Sequence, residues 1–111
     1  MGRKSRRKGC EFERELAGLL TNELGFVVKR RLGQAREGGC DLTECGPFVI
    51  EAKRRARIGN VYDWHKQAAD ACNAPGQVPV VVMRADGKKP LALLALEDLI
   101  PMMREALGDN R

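Results

Sequence analysis

The sequence predicts an α/β fold in which a mixed central β-sheet is flanked by helices, in the order α-β-β-β-α-β-β-α. Three observations carry that prediction. Apolar residues recur at helical spacing early in the chain and again in its middle. Short β-branched runs bounded by Gly, Pro or Asn separate and follow these helices. The consecutive valines Val80, Val81 and Val82 have the pattern of a strand buried on both faces. At 111 residues the chain has the length of one domain, expected over residues 9–108, with residues 1–8 as a flexible basic arm.

The first helix is expected over residues 10–24, where Phe12, Leu16, Leu19, Leu20 and Leu24 form an apolar arc and Gly25 is a fitting stop. A strand follows over residues 26–32, then a glycine-rich loop over 33–39. Residues 40–44 and 47–55 read as two strands of a hairpin around the Gly46-Pro47 turn. Asn60 is the expected N-cap of the second helix, with Asp63 in its first turn and Val61, Trp64, Ala68, Ala71 and Cys72 as its apolar stripe. Residues 79–84 and 91–96 read as the fourth and fifth strands. A last helix runs to Leu107, with Pro101 near its start and Gly108 after it.

Charge gives the first functional indication. Twenty Lys and Arg face 15 Asp and Glu, for a net charge of +5. Arg3, Lys4, Arg6, Arg7 and Lys8 stand together without an acid, so the surplus lies at the N-terminus on an otherwise neutral body. Such a cluster suits nucleic acid phosphates, with salt-sensitive affinity. Further basic residues, Lys29, Arg30 and Arg31, then Lys53, Arg54, Arg55 and Arg57, fall in segments expected to be ordered. No apolar run approaches a membrane span, and no apolar segment of a signal peptide follows the basic start. The expectation is a cytoplasmic protein without a membrane partner. Cys10, Cys40, Cys45 and Cys72 contain no C-x-x-C pair and read as buried small hydrophobes with free thiols.

The third strand carries the chemistry. Its alternation puts Phe48, Ile50 and Ala52 on one face and Val49, Glu51, Lys53 and Arg55 on the other. A carboxylate and an ammonium therefore stand side by side in an apolar run, where isolated charges are costly. A structural ion pair on a solvated sheet face is the simplest explanation. A second acid, Asp41, lies on the preceding strand after Gly38-Gly39. A third, Glu13, falls inside the apolar arc of the first helix, where a basic partner or a shared cation would satisfy it. Three carboxylates and a lysine suit metal-assisted phosphodiester hydrolysis, because hard oxygen ligands hold Mg²⁺ while leaving positions open.

Asp41 with Glu51-Ala52-Lys53 resembles the split motif of the PD-(D/E)XK nucleases, and the element order is similar to that superfamily's core. More specifically, Lys8-Gly9 followed by Glu13-Arg14-Glu15-Leu16 resembles the opening of archaeal-type Holliday junction resolvases. Gly25-Phe26-Val27-Val28 with Arg30 and Gly33, Asp41-Leu42, residues 49–53 and residues 79–82 continue the likeness in order. Gln34 stands where that family has a small Ser, within the loop Gln34-Ala35-Arg36-Glu37. The resemblance implies Glu13, Asp41 and Glu51 as metal ligands, Lys53 as the catalytic lysine, and Arg14 and Arg30 as backbone-phosphate contacts. Gln67 resembles an accessory Gln of related nucleases. With the basic clusters, the implied DNA-binding set is Arg3, Lys4, Arg6, Arg7, Lys8, Arg14, Arg30, Arg31, Arg54 and Arg55. The implied protein is a Mg²⁺-dependent endonuclease, with Mn²⁺ as a substitute, acting as a homodimer on four-way DNA junctions. Its small size also fits a phage or archaeal stand-alone enzyme. The alternatives are a VRR-type or other PD-(D/E)XK nuclease acting on flaps or nicks, and a non-enzymatic DNA-binding module.

Overall fold

The computed structural model describes residues 2–30 and 42–108, with side chains from residue 7 onward. The elements follow the expected order: α1 (Gly2–Leu24), β1 (Lys29–Arg30), β2 (Leu42–Thr43), β3 (Phe48–Arg55), α2 (Val61–Asp70), β4 (Val78–Ala85), β5 (Leu91–Leu93) and α3 (Leu96–Leu107). The central sheet has the order β3-β4-β5 and is mixed. β3 and β4 run parallel over their full lengths, from Phe48 opposite Val78 to Arg55 opposite Ala85, and β5 joins β4 antiparallel.

Helices cover both faces of this sheet. Phe12, Leu16 and Ala17 of α1 pack with Val28, Leu42, Ile50 and Val80 on one face. On the other face Ala68 of α2 meets Val81 and Met83, with Val61, Trp64 and Leu93 around them. Val80 and Val81 are buried in different clusters, which is the two-sided burial expected of consecutive valines. The start of α2 also follows expectation, since Asn60 Oδ1 accepts hydrogen bonds from the N–H groups of Tyr62 (3.1 Å) and Asp63 (3.3 Å).

Four expectations need correction. First, the basic residues taken for a separate arm belong to α1, whose helical backbone starts at Gly2. Lys and Arg are good helix formers, so the helix extends beyond the apolar stripe that marks its contact with the body. Second, β2 does not form a hairpin with β3. It pairs antiparallel with β1 (Arg30 opposite Leu42), and the turn into β3 passes through left-handed backbone at Glu44 and Gly46. β3 takes β4 as its ladder partner instead. Third, Phe26 and Val27 are exposed and, among the described residues, β1 begins only at Lys29; the chain reverses after α1 through Val28, which exchanges two hydrogen bonds with the Thr21 hydroxyl. Fourth, β5 stops at Leu93, because the chain turns at Ala95 to start α3. Among the cysteines, Cys45 packs against the α1-side core, whereas Cys10 is exposed on α1. Cys40 and the Gln34-Ala35-Arg36-Glu37 loop lie outside the described residues. No described helix is long and apolar enough to cross a membrane.

α1 is clamped to the far end of the sheet by charge. Lys8 Nζ pairs with Asp86 (3.3 Å), which also accepts from Arg54 of β3, and Arg84 of β4 pairs with Glu15 (3.2 Å). Hydrogen bonds from Arg54 and then Lys8 hold the Asp86 carboxyl below its ordinary value of 3.8. A depressed pKa means that the clamp contributes fully above pH 3.8 and is lost as pH falls through the lower folded value. Urea titrations between pH 2 and 7 should therefore show a smaller acid-side loss of stability in Asp86→Asn than in the wild-type chain.

Candidate active site

β3 places two opposite charges under α2. Glu51 and Lys53 alternate with the core residue Ile50 and so face away from α1. Their register partners on β4 are Val81 and Met83, the apolar floor on which α2 rests. The expectation of a solvated sheet face fails here: Glu51 is 6% exposed and Lys53 8%. Lys53 Nζ lies 3.4 Å from Glu51 Oε2 and donates a 2.8 Å hydrogen bond to Gln67 Oε1 of α2. Trp64, one helical turn before Gln67, puts its ring centroid 6.0 Å from the same ammonium and 5.6 Å from the Arg55 guanidinium. The ammonium is thus held among a carboxylate, an amide oxygen and an aromatic face.

A hard divalent cation fits the chemistry of this donor set. The Glu51 carboxylate offers oxygen donors in a water-poor wall, the kind of group that a hard divalent cation takes. Among the described residues no three or more His, Cys, Asp or Glu side chains gather as a metal cluster. Asp41, the expected second ligand, lies outside the described residues and directly precedes Leu42 of β2, which is fully buried.

The other expected residues divide into groups. Glu13 pairs with Arg30 of β1 at 3.4 Å, both about one fifth exposed, so these two expected site residues meet each other. Arg30 Nε is buried without a hydrogen-bond partner among the described residues. Lys8 and Arg54 share Asp86, whereas Arg7, Arg14 and Arg55 are exposed. The side chains of Arg3, Lys4 and Arg6, and all of Arg31, lie outside the description.

A family model described as "Phage putative PDDEXK endonuclease" matches residues 4–109. The chain belongs to this family. The match spans nearly the whole chain, and the mixed sheet flanked by helices is consistent with a PD-(D/E)XK-like nuclease domain. It establishes the PD-(D/E)XK superfamily and the nuclease class, not the archaeal resolvase type that the motifs resemble. Divalent metals are the general cofactors of PD-(D/E)XK nucleases. Comparison with curated proteins and with solved structures gives no match.

The tertiary roles of two residues, Trp64 over β3 and Asp86 in the clamp on α1, escape a reading of the sequence. Trp64 reads there only as part of the α2 stripe, although its i, i+3 relation to Gln67 puts both over one spot on β3. Asp86 has no local signal, since its partners Lys8 and Arg54 are 78 and 32 residues away. The buried pair should show strong thermodynamic coupling. Glu51→Gln alone leaves a buried ammonium without its carboxylate and should cost about 3–5 kcal/mol. The double variant Glu51→Gln/Lys53→Met should recover about 1–3 kcal/mol of the summed single losses. Denaturant unfolding of the four proteins in the cycle measures the coupling, and additive losses would mean that the two charges do not interact.

Proposed function

We propose that the chain is a Mg²⁺-dependent endodeoxyribonuclease that hydrolyses phosphodiesters in branched DNA, with four-way junctions as its preferred substrate. The observation that carries the reading is the buried Glu51–Lys53 pair, met by Gln67 of α2, in a member of a PDDEXK endonuclease family. Glu51 and Asp41 would hold the cation, with Glu13 as a further ligand if it exchanges Arg30 for the metal. When bound, the ion polarises a phosphate oxygen and lowers the pKa of a water. Lys53 presents a fixed positive charge to the phosphate oxygens that gain charge in the transition state. Gln67 and Glu51 hold that ammonium in place, so little of its ordering remains for the moment of reaction. The exposed Arg7, Arg14 and Arg55, the N-terminal basic residues and Arg31 would contact DNA backbone. A carboxylate site facing phosphate repels it unless a cation intervenes, which disfavours a non-enzymatic DNA-binding module.

Incubation of labelled duplex, flap, fork and four-way junction with and without Mg²⁺ tests the reading. Cleavage should require the ion and be lost in Asp41→Asn and Glu51→Gln with DNA binding retained. Lys53→Ala should lower the single-turnover rate far more than affinity. Wild-type cleavage by Asp41→Asn would remove that residue from the site, and preference for flaps over junctions would favour the alternative nuclease class.

Resolving a junction takes two cuts, and a C2 dimer supplies two sites in the matching relation. α3 offers the surface. None of its residues is buried. Asp98, Leu99 and Met102 are half-buried, while Leu96, Ile100, Met103 and Leu107 are 42–65% exposed and fall within an arc of roughly 60°. Glu97 and Arg104 lie on the same flank of that stripe. Like flanks face each other when two such helices pair antiparallel, so Glu97 of each copy would meet Arg104 of the other. The occupant proposed is therefore a second copy of this chain. Sedimentation should find a dimer, and Ile100→Glu/Met103→Glu should yield a folded monomer. A wild-type monomer at concentrations that cleave junctions would exclude this pairing.

A further inference from the structure

Lys53 and Arg55 project from the same face of β3, and the ring of Trp64 serves both. Its centroid lies 6.0 Å from the Lys53 ammonium and 5.6 Å from the Arg55 guanidinium, both within the range of attraction between a cation and an indole face. The ring is seated from two directions. It packs on the Ala68, Val81 and Met83 cluster beneath α2. The backbone of Gly59 passes so close that a Cβ there would come within 3.3 Å of Trp64 Cζ2. Asn60, next in the chain, fixes the start of α2 through its cap. The two cations differ in burial: Lys53 is 8% exposed and Arg55 lies in the solvent.

We propose that Trp64 is a positioning residue of the site: its ring face holds the Lys53 ammonium in register and stacks Arg55 ready for a DNA phosphate. The role rests on the nuclease reading above. Hydrogen bonds from Lys53 to Gln67 and its pairing with Glu51 constrain the ammonium from the side of oxygen atoms. Neither prevents it from swinging toward the strand's open end, where Arg55 stands. The ring closes that side without offering a competing acceptor for the ammonium's protons. For Arg55, whose Nη1 donates to the Arg54 carbonyl (3.0 Å), the same ring lies against the guanidinium and leaves its remaining N–H groups able to meet phosphate oxygens, a geometry that an ammonium could not reproduce. Engagement of Arg55 by phosphate should therefore change the environment of the ring.

Trp64 is the only tryptophan in the chain, so its emission reports on this site whether or not cleavage occurs. Three variants of the full chain separate the possibilities: Trp64→Phe, which keeps a π face, Trp64→Leu, which keeps an apolar side chain without one, and Arg55→Gln. Each is first checked for a wild-type unfolding transition. Misplacing a reacting group by about 1 Å can cost up to about 100-fold in rate. Trp64→Leu should accordingly lose at least about 10-fold in the Mg²⁺-dependent single-turnover rate on a four-way junction, with a smaller change in DNA affinity. Trp64→Phe should recover most of that rate. Arg55→Gln should weaken DNA binding. Without Mg²⁺, junction DNA should shift the wild-type emission and leave that of Arg55→Gln unmoved. Equal rates for a folded Trp64→Leu and wild type, or an equal loss in Phe and Leu, would overturn the positioning role. Should Trp64→Leu not fold, the Phe rate and the two emission titrations decide: a Phe variant 10-fold slow, or identical shifts in wild type and Arg55→Gln, would overturn it. If the wild-type chain cleaves none of the DNAs in Mg²⁺, the nuclease reading fails by itself, and the emission titrations still decide whether Arg55 couples Trp64 to phosphate.

Discussion

A strand that carries a carboxylate and an ammonium two residues apart, both nearly out of water, constrains everything built around it. Each of Glu51 and Lys53 would be strongly unfavourable in that place alone, so each is the other's counter-ion. The pair still needs a third partner, because an ammonium has three protons to place. Gln67 supplies an acceptor from α2, and the helix can bring it there only if its small residue Ala68, fully buried, rests directly on Val81. The long parallel ladder with β4 then fixes the height of Glu51 and Lys53 relative to that helix.

The two faces of the sheet have different work. On the α1 side Phe12, Leu16, Ile50, Val80 and Leu42 close an apolar cluster, with the half-buried Glu13–Arg30 pair on α1 and β1. The α2 side combines a small apolar cluster with the charged pair. Because β3 alternates, one strand serves both, and a one-residue slip of its register would put Ile50 beneath Gln67 and Glu51 and Lys53 into the α1 core. The ion pairs at the end of the sheet, Lys8 and Arg54 with Asp86 and Arg84 with Glu15, tie the basic start of α1 to β3 and β4. Arg7 and Lys8 are thus presented from a helix docked on the body.

Family membership establishes the superfamily and a nuclease class, and the chemistry of the site has to be argued from its own groups. The hard-oxygen donor Glu51, the fixed ammonium of Lys53 and exposed arginines nearby form a coherent set for phosphodiester hydrolysis. Substrate shape is a separate question, governed by how many copies act together and by which surface brings them into register. Under the proposed pairing, the unburied stripe of α3 would be the surface that sets this register.

Much of this protein was legible in the sequence because local rules decide it. Element order follows from hydrophobic period, the α2 start from the Asn60 cap, and the shared face of Glu51 and Lys53 from the two-residue repeat of a strand. The placement of Gln67 over Lys53 was within reach through motif likeness. The sequence could not decide which strand pairs with which: β2 pairs with β1, and left-handed backbone at Glu44 and Gly46 separates it from β3. Nor could it decide whether the charged face of β3 is wet or dry, since that depends on α2 lying across it. The partnership of Glu13 with Arg30, the double role of Trp64 and the convergence of Lys8 and Arg54 on Asp86 are likewise tertiary facts. Each joins residues far apart in the chain, and the energy of a charge or an aromatic ring depends on neighbours that only the folded chain brings together.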